Sequence, residues 1–335
     1  MTLPARKIGP FTVSAIGLGC MNLSHAYGPP APVEAATELL NRALDLGVTF
    51  LDTAALYGGG GNERLLGRAV MHRRSEFVLA SKCVLDMQDG KRVIDGRPAA
   101  VLASLDRSLE RLGTEHIDLF YLHRLDPDVP VEETVGALAD AVQAGKIGAI
   151  GLSEMSAATI ERAHAVHPIA AVQSEYSAMV RNPEVAVLDT CARLGIGFVA
   201  FSPVGRAMLA GGVHGADYVK GDLRWGLPRF VEPDLTHNLD AIRAFEALVA
   251  ELGHTPAQLA LGWTLAMGAH VVPIPGTTSI AHLEENVEAA GLQLDPGTLH
   301  AIDTIFGPGA IRGARYPAMA QAQIDTEILP GEELA

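Results

Sequence analysis

The segment VTFLDTAALYGGGGNERLLGRAVMHRRSEFVLASK, residues 48–82, contains one full turn of the pattern that decides the fold. An apolar run at 48–51 ends in Asp52, a helical pattern follows, and a second apolar run at 77–80 leads to Lys82. Strands buried on both faces read as continuous apolar runs, and both of these do. The unit recurs in both directions, with further runs at 14–18, 117–122, 147–152, 171–173, 198–201 and 271–274. Between runs, segments 33–46, 99–112, 131–144 and 157–166 carry apolar residues at spacings of three and four, the period of an amphipathic helix. Such alternation implies a parallel sheet with crossover helices. Eight units without a Pro/Ser-rich linker or a break in composition predict an α/β chain folded as a single (β/α)₈ TIM barrel over residues 1–335, in preference to an open doubly wound sheet.

Two stretches break the rhythm. Residues 205–236, after the seventh strand, are Gly-rich with scattered aromatics (Tyr218, Trp225, Phe230) and exceed an ordinary βα loop, which predicts a pocket wall. The tail after Phe306 passes through Arg312, Arg315 and Tyr316 without a period and is expected to be irregular.

Composition narrows the function classes. There are 39 acidic residues against 25 Lys and Arg, a formal charge of −14, so the overall field repels a phosphate backbone or an anionic membrane surface. Neither nucleic acid nor membrane is expected as a partner. Cys20, Cys83 and Cys191 form an odd set without CxxC spacing, which argues against a disulfide framework or a zinc site. Buried, reduced thiols and no metal are expected. Arg6 and Lys7 are not followed by an apolar run of signal-peptide length, and no later run spans a bilayer, so a cytoplasmic location is expected. A single sequence does not define surface patches and leaves the oligomeric state open.

In a barrel of this kind the reacting groups sit where strands end at the C-terminal rim. Asp52 and His123 each close a predicted strand, Lys82 closes FVLASK, and Tyr57 lies in the loop after Asp52. Singly, each has an ordinary explanation: Asp52 as a turn cap, Lys82 as a rim residue with a buried stem, His123 as a hydrogen-bonded barrel histidine. Together they put a carboxylate, an ammonium, an imidazole and a phenol on one rim. A phenol with a pKa near 10 releases its proton reluctantly, and an adjacent ammonium stabilises the phenolate that forms. On this reading Lys82 lowers the pKa of Tyr57 and Asp52 holds Lys82. His123 orients a carbonyl, or assists proton transfer to its oxygen as hydride reaches its carbon.

The segments FLDTAALYGGGGNERLLGRAV (50–70), VLASK (78–82), RSLERLGTEHIDLFYLHRLD (107–126), GKIGAIGLSE (145–154), VQSEYS (172–177), FVAFSPVGR (198–206) and VPIPGTTSIAHLEENVEA (272–289) resemble, in order, the aldo-keto reductase family. The resemblance covers nearly the whole chain and implies the tetrad Asp52, Tyr57, Lys82 and His123. It also implies a dinucleotide, NADPH with NADH as the alternative, extended across the barrel mouth without a GxGxxG turn. GLGCMN at 17–22 approaches that turn but departs at its last position.

By the same resemblance Gly19, Cys20 and Met21 border the cofactor beside Asp52. Ser153, Glu154 and Gln173 hold the nicotinamide carboxamide, Glu154 standing where relatives commonly have Asn. Phe201 faces the nicotinamide ring, and Ser202, Pro203, Val204, Gly205 and Arg206 clasp the diphosphate. Ile274, Gly276, Thr277, Thr278 and Ser279 lead into a helix from Ile280 whose His282, Glu285 and Asn286 take the adenosine end. NADPH-binding relatives carry Lys or Arg there; in this chain hydroxyls, helix amides and Lys220 would serve the 2′-phosphate.

Met21, Leu56, Tyr57, His123, Trp225, Arg315 and Tyr316 are expected to line the substrate pocket, whose apolar and aromatic wall suits a small aldehyde or ketone. The implied activity is NADPH-dependent carbonyl reduction with Tyr57 as general acid. Two other readings stay open: an NAD(P)-dependent alcohol dehydrogenase running oxidatively, and a nicotinamide-sensing regulatory subunit. The second is disfavoured because the barrel pattern starts almost at the first residue.

Overall fold

The computed structural model describes residues 3–88 and 90–335. Eight strands form one parallel sheet whose spatial order follows the chain: β1 (Leu18–Gly19), β2 (Phe50–Asp52), β3 (Val78–Cys83), β4 (Ile117–Leu122), β5 (Ile147–Ser153), β6 (Ile169–Glu175), β7 (Gly197–Phe201) and β8 (Val271–Pro273). The ring closes where β1 returns to β8, with Gly17 N donating to Pro273 O (3.0 Å) and Gly19 N to Pro275 O (3.3 Å). No side chain fits at this seam: a Cβ on Gly19 would lie 2.8 Å from Ile274 O. The predicted (β/α)₈ barrel is therefore present.

The helices are α1 (Val33–Asp45), α2 (Gly61–Ala69), α3 (Pro98–Leu112), α4 (Val131–Gln143), α5 (Ala157–Val166), α6 (Val187–Leu194), α7 (Asp234–Leu252), α8 (Pro256–Ala266), α9 (Ile280–Glu288), α10 (Pro296–Ile305) and a short α11 (Ala318–Gln321). Their ends follow local chemistry. Pro98 opens α3 and Gly113, at φ +67, stops it, while Thr255 and Gln258 form a reciprocal capping box on α8.

Side chains alternate across each strand, so one sheet sustains two cores. Phe50, Ala80, Leu119, Tyr121, Val199 and Val272 fill the barrel, and Leu51, Leu79, Phe120, Ile150, Val172 and Phe198 pack under the helices. Gly151 on β5 leaves room for Tyr121, whose ring would lie 2.3 Å from a Cβ there.

The apolar run at 14–18 does not form one strand. Ser14 ends an antiparallel hairpin of Ala5–Ile8 and Phe11–Ser14, and only Leu18 of the run belongs to β1. Apolarity continues through the bend because both flanks are buried, so the pattern could not show the break. The hairpin covers the floor of the barrel: a Cβ on Gly9 would lie 2.6 Å from that of Ala170, and one on Gly197 2.8 Å from Ile8 Cα. A second hairpin, Leu85–Gln88 with Lys91–Ile94, follows β3 and was not foreseen. The long segment before α7 contains only 3₁₀ turns and reaches across the mouth, where Leu223 N donates to Ala26 O (2.7 Å). Beyond α10 the tail is irregular apart from α11, as expected. Among the described residues no helix is long and apolar enough to cross a membrane.

Candidate active site

Strand ends bring the four expected residues together. Lys82 Nζ donates to Asp52 Oδ1 (2.5 Å), Thr53 O (2.9 Å) and Tyr57 Oη (3.1 Å), so all three ammonium hydrogens are engaged. Lys82 and Asp52 are buried, and Gln173 Nε2 donates to the second Asp52 oxygen (2.8 Å). Since Tyr57 Oη accepts from Lys82, its own proton is left to point elsewhere. His123 stands edge-on to the Tyr57 ring, with centroids 5.8 Å apart.

The electrostatics differ from the sequence expectation in one respect. Burial pushes the Tyr57 phenol above its ordinary value; Lys82 opposes this without overcoming it. Burial also works against the charge on Lys82, but Asp52 and Tyr57 outweigh it and hold that pKa above the usual lysine value. The site thus holds a protonated phenol beside a charged ammonium. Burial, followed by the charges of Arg124 and Lys82, holds the His123 imidazole well below its ordinary range, and its Nδ1 is buried without a partner. His25, in the loop after β1, was missed; its ring lies 5.6 Å from that of Tyr57. A lone loop histidine carries no sequence signal that would have singled it out.

The rim at β5 to β7 is organised differently. Glu154 is fully buried at φ +55, and its carboxylate accepts from Glu175 N (2.6 Å) and Arg315 Nη2 (3.2 Å). Arg315 is 4% exposed, is held also by Thr326 Oγ1 (2.7 Å), and is therefore a buried partner of Glu154 and no open wall residue. Arg206 bonds Glu175 Oε1 (3.0 Å) and the Tyr316 hydroxyl (3.3 Å). Buried carboxylates at two strand ends draw these guanidinium groups inward, since an unpaired buried charge is costly. Gln173 is likewise committed to Asp52, while Ser153 Oγ accepts from Arg124 at 3.4 Å.

The loop after β7 begins at the partly exposed Phe201 and is strained: Ser202, Arg206 and Ala207 hold φ of 50, 53 and 77, flanking the buried Pro203 and Gly205 and the half-buried Val204. Ile274 is buried, and Gly276 meets β1, where a Cβ would lie 2.9 Å from Gly19 O. Ser279 caps α9 by accepting from His282 N (3.4 Å), and Thr277 Oγ1 accepts from Ser279 N (3.0 Å). Thr278 and His282 are exposed, Glu285 is half-buried and Asn286 is buried. Cys20 is buried beneath the mouth, and Met21 and Leu56 are half-buried around it. Trp225 is 55% exposed, its Nε1 donating to Tyr218 O (3.1 Å).

The sequence pattern of the aldo/keto reductase family matches residues 15–306. The NADP(+) aldo-keto reductase yakc of Schizosaccharomyces pombe is 41% identical over 340 residues, covering 98% of this chain and all of its own. Among solved structures, the glycerol dehydrogenase of Gluconobacter oxydans superposes with a TM-score of 0.82 at 27% identity, over 90% of this chain and 94% of its own. An aldo/keto reductase from Klebsiella pneumoniae in complex with NADP and acetate gives 0.70 at 27% identity, over 93% and 99%. A tetrad at the rim of a parallel barrel and similarity along the whole chain lead to one assignment: the protein belongs to the aldo/keto reductase family, whose members are NAD(P)H-dependent oxidoreductases.

Proposed function

We propose that the protein reduces an aldehyde or ketone with NADPH and that Tyr57 protonates the carbonyl oxygen. The observation that carries this reading is the threefold bonding of Lys82, which fixes the ammonium against Tyr57 Oη and leaves the phenolic proton free. Tyr57 stays protonated through neutral pH because burial raises its pKa. As its proton moves to the carbonyl oxygen, the growing phenolate charge lies 3.1 Å from the Lys82 ammonium, which Asp52 and Thr53 O hold in place. His123, neutral at physiological pH, offers an imidazole nitrogen that orients the carbonyl without competing as an acid.

The cofactor supplies the hydride when bound. The strained loop at 202–207, the capped N-terminus of α9 and the close approach at Gly276 suit an extended anionic dinucleotide. NADPH is favoured because the yeast relative is named for NADP(+) and the bacterial one was solved with NADP. The glycerol dehydrogenase relative supports a second reading, in which the same groups run in reverse. Loss of NADPH absorbance with neutral aldehydes, against gain of it with NADP⁺ and alcohols, decides the direction. Tyr57→Phe is expected to lower turnover about 10²–10⁴-fold while leaving the cofactor Kd nearly unchanged; a variant that kept most of its rate would remove Tyr57 from the acid role.

A further inference from the structure

Among the described residues, buried arginines meet carboxylates, with one exception. Arg315 pairs with Glu154 at 3.2 Å, and Arg229 lies 3.9 Å from Glu332. Arg124 is similarly buried, 8% exposed, yet no carboxylate pairs with it among the described residues. It follows His123 directly at the end of β4. Its Nη1 is anchored on His123 O (2.6 Å) and Ser153 Oγ (3.4 Å), which fixes the guanidinium beside the Tyr57 site. The other two nitrogens are unused among the described residues: Nε is buried without a hydrogen-bond partner, and Nη2 makes no hydrogen bond.

Leaving a buried guanidinium unpaired is unfavourable, so such a group marks a place where a counter-charge is to come from outside. Arg92, on the hairpin strand after β3, is a second cation without an acidic partner among the described residues. The charges of Arg124 and Arg92 both bear on the His123 ring, and that of Arg124, after burial, also bears on Arg92. In a chain of net charge −14, Arg124 next to His123 and Arg92, whose charge reaches the same imidazole, put two guanidinium groups without an acidic partner among the described residues near one ring, a local positive field.

We propose that Arg124, assisted by Arg92, forms a subsite for an anionic group, carboxylate or phosphate, carried by the carbonyl substrate. The assignment rests on the reading of Tyr57 as the acid that faces the carbonyl. Nε and Nη2 supply the paired donors with which a guanidinium grips a carboxylate or phosphate.

The test compares matched substrates with NADPH: 4-carboxybenzaldehyde against its methyl ester, and glyceraldehyde 3-phosphate against glyceraldehyde. The charged member of at least one pair should have a kcat/KM higher by roughly tenfold to a hundredfold, chiefly through KM. Whichever pair shows it identifies the anion. Arg124→Gln and Arg92→Gln should each reduce that ratio toward one, and Arg124→Lys should restore part of it. Raising the salt concentration should narrow the ratio through screening. Turnover of the neutral aldehydes with no preference for either anion would overturn the subsite while leaving the reductase reading intact. Absence of all turnover would instead break the reductase reading. The subsite would then stand or fall on titration of terephthalate into the protein, followed by tryptophan fluorescence: binding weakened by Arg124→Gln supports it, and no binding overturns it.

Discussion

At Tyr57 the Lys82 ammonium takes its partners from β2 and the loop after it, each within 30 residues of Lys82 in sequence. Around Glu175 they come from β5, β6, the loop after β7 and the C-terminal tail; the Arg315–Glu154 bond joins residues 161 positions apart. The Lys82 ammonium at the first is saturated, with none of its hydrogens left over. The second keeps buried atoms that make no hydrogen bond and meet only at ion-pair range: Glu175 Oε2 lies 3.9 Å from Arg315 Nη1, and Arg315 Nε 3.8 Å from Glu332. A saturated cluster is fixed before anything binds, whereas an incompletely paired one has bonding capacity in reserve.

The largest expected effect tests the saturated side. Lys82→Met removes the ammonium that opposes the rise in the Tyr57 pKa. The rate should fall about 10²–10⁴-fold, and the alkaline limb of the alcohol-oxidation profile, which requires phenolate, should move to higher pH. An unchanged pH profile would detach Lys82 from Tyr57.

The paired side should respond in stability. Arg315→Met leaves Glu154 buried without its cation, which should cost about 3–5 kcal/mol in denaturant unfolding. A loss below about 1 kcal/mol would show that the cluster is already loosely coupled.

The smallest effect separates the sides by pH. His123 is held neutral in the folded state, its pKa depressed, so the unfolded chain takes up a proton below about pH 6.5 that the folded one refuses. Stability from this source is present above that pH and is lost as pH falls through it. Between pH 7 and pH 5, His123→Gln should therefore lose less stability than the parent; equal losses would place the titration elsewhere.

The same contrast explains what could be read in the sequence. Asp52, Lys82 and His123 were legible because each closes an apolar run, and a barrel carries all strand ends to one rim. Tyr57 followed from its short distance to Asp52 along the chain. The Glu154–Arg315 pair was not legible, because nothing local to either residue names a partner so far away. The direction of the Tyr57 shift also escaped, since proximity to Lys82 shows in a sequence while depth of burial does not. At 14–18, an uninterrupted apolar run concealed a hairpin end, a bend and the start of β1.

The N-terminal hairpin closes one end of the barrel with Ile8 and Val13 inside it. A vessel with a floor has a single doorway. Whatever meets Tyr57 arrives and departs past the segment that bridges Ala26 to Leu223 and past the tail anchored at Arg315. Traffic through the enzyme, as distinct from the chemistry inside it, is thus left to the parts of the chain that belong to no strand or crossover helix.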